Sequence, residues 1–187
     1  MMNQQSTLKV LQPFIWMGIF VVAVFYLINV FNTGNWFWFR NDAVDVRPSR
    51  MVIYRDGERI LVQPGHPDFI PLANAVERSL SHLNNTALVD IGLSEETLAY
   101  YTENGVTLEL YYDKPVTFNS IARTGKPTQL LIPIEGRHAG GGLVFLGGNG
   151  KWWAGAVRMA DPTPLLQTLA QLGYTAVAVD PSIPAIN

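Results

Sequence analysis

The first forty residues of the chain hold one dense apolar block. Residues 13–31 contain no charged side chain and one strongly polar one, Asn29. At 1.5 Å of rise per residue, a helix over them would be about 28 Å long, close to the bilayer hydrocarbon thickness of about 30 Å. A buried core helix is rarely this long and this uniformly apolar. The pattern therefore predicts a transmembrane helix over 13–31, preceded by a short tail over 1–12.

A cleaved signal peptide is the main alternative for this apolar block. Such a peptide has a shorter apolar stretch, a basic start and a small-residue cleavage site. Here the start offers only Lys9 besides the terminal amine, and the exit from Asn29 to Asn32 has no Ala-x-Ala pattern. We therefore expect the helix to be retained as a signal anchor.

Aromatic residues and an arginine follow the apolar block. These residues are Trp36, Phe37, Trp38, Phe39 and Arg40. Amphipathic rings are enriched at the headgroup layer of a membrane, where an arginine can contact lipid phosphates. We interpret the group as a membrane interface within a linker over 32–49. A strand docked on the domain or on a partner is the alternative.

The orientation of the predicted span is poorly determined by charge. The leader has one lysine and no acidic residue, whereas Arg40, Arg47 and Arg50 follow the span. The positive-inside rule therefore does not support a domain outside the cytoplasm. We nevertheless expect that location, because the layout resembles that of a signal anchor.

From residue 50 onward, short apolar runs alternate with turn residues. The turn signals are Asp56-Gly57, Asn104-Gly105, Thr124-Gly125 and the run 147–150. Each turn separates two predicted antiparallel strands. The predicted strands are 51–55, 59–62, 98–102, 106–112, 116–123, 129–134, 143–146 and 152–159. For 98–102, a short helix beginning at Ser94 is the alternative.

Two amphipathic helices are predicted in the same region. Across residues 67–83, apolar side chains recur every three or four positions, which places them on one face of a helix. The second helix has Asp161 as its cap and Pro162 at its first position, and it ends at Gly173.

The hairpins and helices together define the predicted fold class. A strand over 175–179 and a loose tail over 181–187 complete the chain. Antiparallel hairpins combined with two amphipathic helices imply an α+β domain over 50–180, with both helices on one face of the sheet.

Composition excludes several classes of chemistry. The chain has no cysteine, which excludes disulfides, thiolate metal sites, iron–sulfur clusters and a cysteine nucleophile. A formal net charge of −2 gives no electrostatic case for nucleic-acid binding. The three histidines share no ligand spacing within one element, so no metal or other cofactor is predicted.

The strongest local group of chemically active side chains lies in residues 135–142. Glu135, Arg137 and His138 stand close together, and glycines follow. A carboxylate, a guanidinium and an imidazole can bind an anion or exchange protons, and glycine backbone can add amide donors. The order matches neither a P-loop nor a dinucleotide-binding turn. The three residues are the candidate ligand site, although such a loop more commonly serves as a flexible connection between strands.

Two functional hypotheses follow from the sequence. In the first, a membrane-anchored, non-catalytic domain binds a partner protein, as accessory subunit of a membrane complex or as regulator. Its binding surface would be apolar and include Trp152 or Trp153. In the second, a membrane-anchored enzyme or small-ligand binder uses loop 135–142, joined in a pocket by a distant carboxylate such as Asp113. The sequence has no catalytic motif, which favours the first hypothesis.

Overall fold

The chain forms two compact units, Met1–Asn41 and Asp42–Asn187, in a computed structural model. The structure describes residues 4–33, 36, 45–85, 87–118, 120 and 122–176. Within the first unit lies a long helix, α1, which spans Gln4–Thr33. The second unit contains the sheet and the remaining described helices.

Helix α1 exposes apolar side chains on all of its sides. The exposed fraction of its large apolar side chains ranges from 38% at Val24 to 74% at Phe31, apart from the buried Val30. The stretch Leu11–Phe31 is long and apolar enough to cross a membrane. The helix therefore covers the whole of the span predicted over 13–31.

Trp36 is the described member of the predicted membrane-interface group. Its side chain is 61% exposed. The hydroxyl of Tyr26 in α1 donates to the carbonyl oxygen of Trp36 at 2.7 Å, which ties this residue to the helix that precedes it. The other predicted interface residues lie outside the described residues; they are Phe37, Trp38, Phe39 and Arg40.

The second unit is built on a six-stranded antiparallel sheet with the strand order β2-β1-β3-β4-β5-β6. The strands are β1 Arg50–Arg55, β2 Glu58–Val62, β3 Val106–Tyr111, β4 Gln129–Pro133, β5 Leu143–Gly148 and β6 Lys151–Arg158. The helices are α2 Phe69–Leu80, α3 Glu95–Glu103 and α4 Thr163–Gln171. The predicted α+β class is therefore confirmed.

The main core lies between one face of the sheet and helices α2 and α4. Alternate strand residues point into it, among them Met51 of β1 and Leu108 of β3. Leu72 of α2 and Leu165 of α4 meet them from the helical side. The two helices also pack together, and the hydroxyl of Ser79 accepts a hydrogen bond from the amide of Leu165 at 3.2 Å.

Helix α3 occupies residues for which a strand over 98–102 was predicted, so that prediction is wrong. The helix begins after Ser94, whose hydroxyl accepts a hydrogen bond from the amide of Thr97 at 3.2 Å. Tyr101 of α3 is 1% exposed and packs in a smaller core cluster on the sheet face opposite α2 and α4. The cap and this burial together favour helix, and Gly105 leads into β3 instead of turning a hairpin.

The predicted pairing of 116–123 with β4 is also wrong. Strand β4 pairs with β3 on one edge and with β5 on the other, so no edge remains for a further strand. Val116 instead donates its amide to the carbonyl of Pro127 at 2.8 Å, within an irregular connection. Of the strand predicted over 175–179, the two described residues are irregular, and 177–187 lies outside the described residues.

Gly105 provides a test of the packing at the start of β3. A Cβ there would lie 2.6 Å from the carbonyl oxygen of Glu135, at a φ of +68°. Gly57 has a φ of +85°, and a Cβ there would have no atom within 4 Å. Gly57→Ala therefore measures the cost of the backbone angle alone, which is about 1–2 kcal/mol. We expect Gly105→Ala to lower the free energy of unfolding by more than Gly57→Ala does, in urea titrations of residues 45–187. Equal losses would contradict this close approach.

Candidate functional site

Loop 135–142 leaves β4 at the end of the sheet where β3 begins. The amide of Glu135 donates to the carbonyl of Val106 at 2.9 Å. The Glu135 carboxylate accepts hydrogen bonds from the hydroxyl of Thr175 and from the amide of Ala176, the latter at 3.1 Å. This side chain therefore fixes the segment that follows α4.

Arg137 lies against the exposed side of α3. Its guanidinium carbon is 4.8 Å from the centre of the Tyr100 ring, within the range of a cation–π contact. Its Nη1 is 3.7 Å from a carboxylate oxygen of Glu96, and the arginine side chain remains 50% exposed. Arg137 is thus held in place while much of its donor surface still faces solvent.

His138 is bound to the neighbouring tyrosine of α3. Its Nδ1 lies 2.6 Å from the hydroxyl of Tyr101. Burial raises the pKa of Tyr101 to about 12, against the opposing charge of Arg137. The tyrosine therefore keeps its proton at neutral pH, and its hydroxyl can donate a hydrogen bond to Nδ1 when that nitrogen carries no proton.

The backbone of the loop is fitted to α3. His138 has a φ of +59°, unusual for a residue with a side chain. Gly136 has a φ of +96°, and a Cβ there would lie 2.9 Å from the hydroxyl oxygen of Tyr100. These constraints give the loop one defined conformation on the helix. We call the surface formed by Tyr100, Arg137 and His138 the α3 corner.

The structure brings together only some of the predicted site residues. Arg137 and His138 contact successive tyrosines of α3, whereas the carboxylate of Glu135 binds the segment after α4. Asp113 follows the other end of β3, about 20 Å away along the strand. The loop therefore does not combine with Asp113 in one pocket.

The tryptophan pair at the start of β6 is half-buried. Trp153 packs against the main core, and Trp152 packs against the smaller cluster. Among the large apolar side chains of the described part of the domain, those that are exposed are Leu61 at 40% and Ile70 at 62%. Neither tryptophan forms the centre of a broad apolar surface, which reduces the support for an interface of that kind.

Within the described residues, one concave surface lies elsewhere, between α2 and α4. It is an open groove of about 410 Å³ with a polar lining that includes Arg78, Asp161 and Gln167. No group of three or more potential metal-ligating side chains occurs in the described ranges. The groove contains none of the predicted site residues.

Glu109 belongs to a polar group that the sequence analysis missed. It lies on β3 with only 8% of its surface exposed, and Val52 and Leu131 are its neighbours on the adjoining strands. The hydroxyl of Tyr111 donates to its carboxylate at 2.6 Å. The guanidinium of Arg50 lies over the Tyr111 ring, 4.4 Å from its centre.

Burial disfavours the charged form of Glu109. It raises the pKa of this carboxyl, although hydrogen bonds from Tyr111 and Tyr54 and the charges of Arg59 and Arg50 oppose the shift. The sequence gives no local sign of this burial, since Glu109 occupies a polar position in the alternation of β3. Only the pairing of β3 on both edges shows it.

Comparison with protein-family models, with curated proteins and with solved structures finds no match to this chain. A functional proposal therefore rests on the chain's own residues. The α3 corner offers exposed, positioned side chains for contact with another molecule. Glu109 itself is almost closed to solvent, so we expect it to act on the stability of the sheet.

Glu109→Gln tests the energetic cost of this carboxylate. Because the folded-state pKa is raised above the unfolded one, the contribution of Glu109 to stability is present at acid pH and is lost as pH rises through the folded-state pKa. The difference in melting temperature, Gln variant minus parent, should therefore increase from pH 4 to pH 8, measured by circular dichroism on residues 45–187. A difference that stays constant or falls with pH would contradict this assignment.

Proposed function

We propose that this chain is a single-pass membrane protein whose α+β domain binds a partner protein, as accessory subunit of a membrane complex or as regulator. The observation that carries the proposal is the all-round exposure of apolar side chains on α1. A lipid environment accounts for such a surface, because exposure of so many apolar side chains to water is energetically unfavourable.

The α3 corner is the part of the domain best suited to contact a partner. Tyrosine and arginine are enriched among residues that dominate binding energy at protein interfaces. Contacts to α3 already hold Arg137 and His138 in place. The loop would therefore lose little conformational entropy when a partner binds. Their side chains spread over a corner of the domain, an arrangement that suits a protein contact. In this proposal the domain lies outside the cytoplasm, following the signal-anchor layout.

The anchor is tested by charges placed in the middle of α1. Val21→Lys combined with Val22→Lys adds about 5–7 kcal/mol to the cost of membrane insertion. We expect the parent chain to resist alkaline carbonate extraction and to float with membranes in a density gradient, and the lysine variant to lose both properties. Val21→Leu with Val22→Leu is the matched control and should behave like the parent. Equal extraction of all three would refute the anchor.

The partner surface is tested by Arg137→Ala combined with His138→Ala. Removal of two central contacts should lower recovery of a stoichiometric partner from native membranes at least tenfold, since such residues contribute about 2 kcal/mol or more each. Arg78→Ala, an exposed arginine on α2, is the matched control and should leave recovery unchanged. Unchanged recovery with the double variant would exclude the α3 corner. A large fall in its melting temperature would show that the two residues serve the fold instead.

A further inference from the structure

The chain enters the domain at one end of the sheet, which we call the linker end. Strand β1 begins there at Arg50, opposite Tyr111 at the end of β3. Tyr111 faces Gln129, and Gln129 faces Gly147, so β4 starts and β5 finishes at the same end. The turn from β5 into Lys151 of β6 closes it.

All three lysines of the domain lie at the linker end. Lys114 follows β3, Lys126 precedes β4 and Lys151 begins β6, and each is exposed. The only other lysine of the chain is Lys9. Strands β3 and β6 are three positions apart in the sheet, so the lysines extend over about 14 Å. Arg123, also exposed, precedes Lys126 in the same connection.

The backbone beneath these lysines is held together. Tyr112 donates its amide to Thr128, and Thr128 donates to Gly147, at 2.9 and 3.0 Å. The ring of Trp153 lies against Gly125 and Gly148, with ring atoms 3.0 Å from the position that a Cβ would take at either glycine. This ring joins the connection that carries Lys126 to the turn that carries Lys151. The segments that carry Lys114, Lys126 and Lys151 are therefore connected to one another at the linker end.

The two ends of the sheet carry opposite charge. Near the linker end, the described acidic residues are Asp45, Asp113 and Glu77, and Glu77 is ion-paired with Arg47 at 3.3 Å. None of the three lysines forms an ion pair within the described ranges. The opposite end carries three arginines, Arg55, Arg137 and Arg158, and a larger number of acidic side chains. These acidic residues are Asp56, Glu58, Glu95, Glu96, Glu103 and Glu135. The domain is thus polarised along its strands, although the net charge of the chain is −2.

We infer that the linker end docks on anionic phospholipid headgroups; this inference rests on the membrane anchor of the proposed function. Exposed cations without ion-pair partners are attracted to an anionic surface, and the effect extends over about one Debye length. The tether keeps the domain at that surface. Because the acidic end would be repelled, the charge pattern favours one orientation, with Lys114, Lys126 and Lys151 towards the lipid.

The absence of cysteine allows a direct test with the full-length chain. A fluorophore is attached to a single cysteine, introduced by Thr117→Cys or by Ala99→Cys. Thr117 is an exposed residue at the linker end, and Ala99 is an exposed residue of α3. Each protein is placed in nanodiscs of phosphatidylcholine, alone or mixed with phosphatidylglycerol, that contain a lipid with a spin-labelled headgroup. We expect phosphatidylglycerol to increase quenching at Thr117→Cys and not at Ala99→Cys.

Charge variants separate electrostatic docking from general proximity. Replacing all three lysines by glutamine should weaken the docking equilibrium about fivefold for each charge and abolish the extra quenching. Replacing them by arginine is the matched control and should retain it. An ionic strength of about 1 M, where the Debye length is about 3 Å, should also remove it.

Two results would overturn the inference. The first is quenching at Thr117→Cys that does not depend on phosphatidylglycerol, and the second is a glutamine variant that behaves like the parent. Flotation of the same proteins with phosphatidylcholine vesicles reports the anchor separately. A chain that floats without charge-dependent quenching refutes docking alone, whereas one that does not float refutes the anchor.

Discussion

The domain depends on strand β3, which is hydrogen-bonded on both edges and buried on both faces. One face supplies Leu108 to the main core, while the other encloses Glu109. The first residue of the strand, Val106, accepts the amides of Ile134 and Glu135, so the strand also sets where loop 135–142 begins. A change that displaced β3 would therefore alter the core, the buried carboxylate and the α3 corner together.

The elements that sequence patterns predicted correctly are those with local determinants. The hairpin of β1 and β2 follows from Asp56-Gly57, and the turn between β5 and β6 follows from its glycines. Helices α2 and α4 follow from apolar periodicity. Helix α3 was given only as the alternative to a strand, because the run 98–102 suits either structure. The burial of Tyr101 against residues far along the chain decides between them.

The candidate site was predictable only in part, for a related reason. The spacing of Glu135, Arg137 and His138 is visible in the sequence, but their partners on α3 and after α4 are more than thirty residues away. Glu109 was not predictable, because an acidic residue at a polar strand position is normally solvated. Its burial depends on the neighbours that the sheet order supplies. Local sequence carries no information on either set of contacts.

The antiparallel order places the linker end and the α3 corner at opposite ends of the strands, about 20 Å apart. At physiological ionic strength, a bilayer potential decays over about 8 Å. A domain seated on lipid by its lysines would thus hold Arg137 and His138 at a fixed height, beyond the reach of the headgroup charge. The lipid charge would then act on the lysines without affecting partner binding at the α3 corner. The length of the strands sets the distance between these two surfaces.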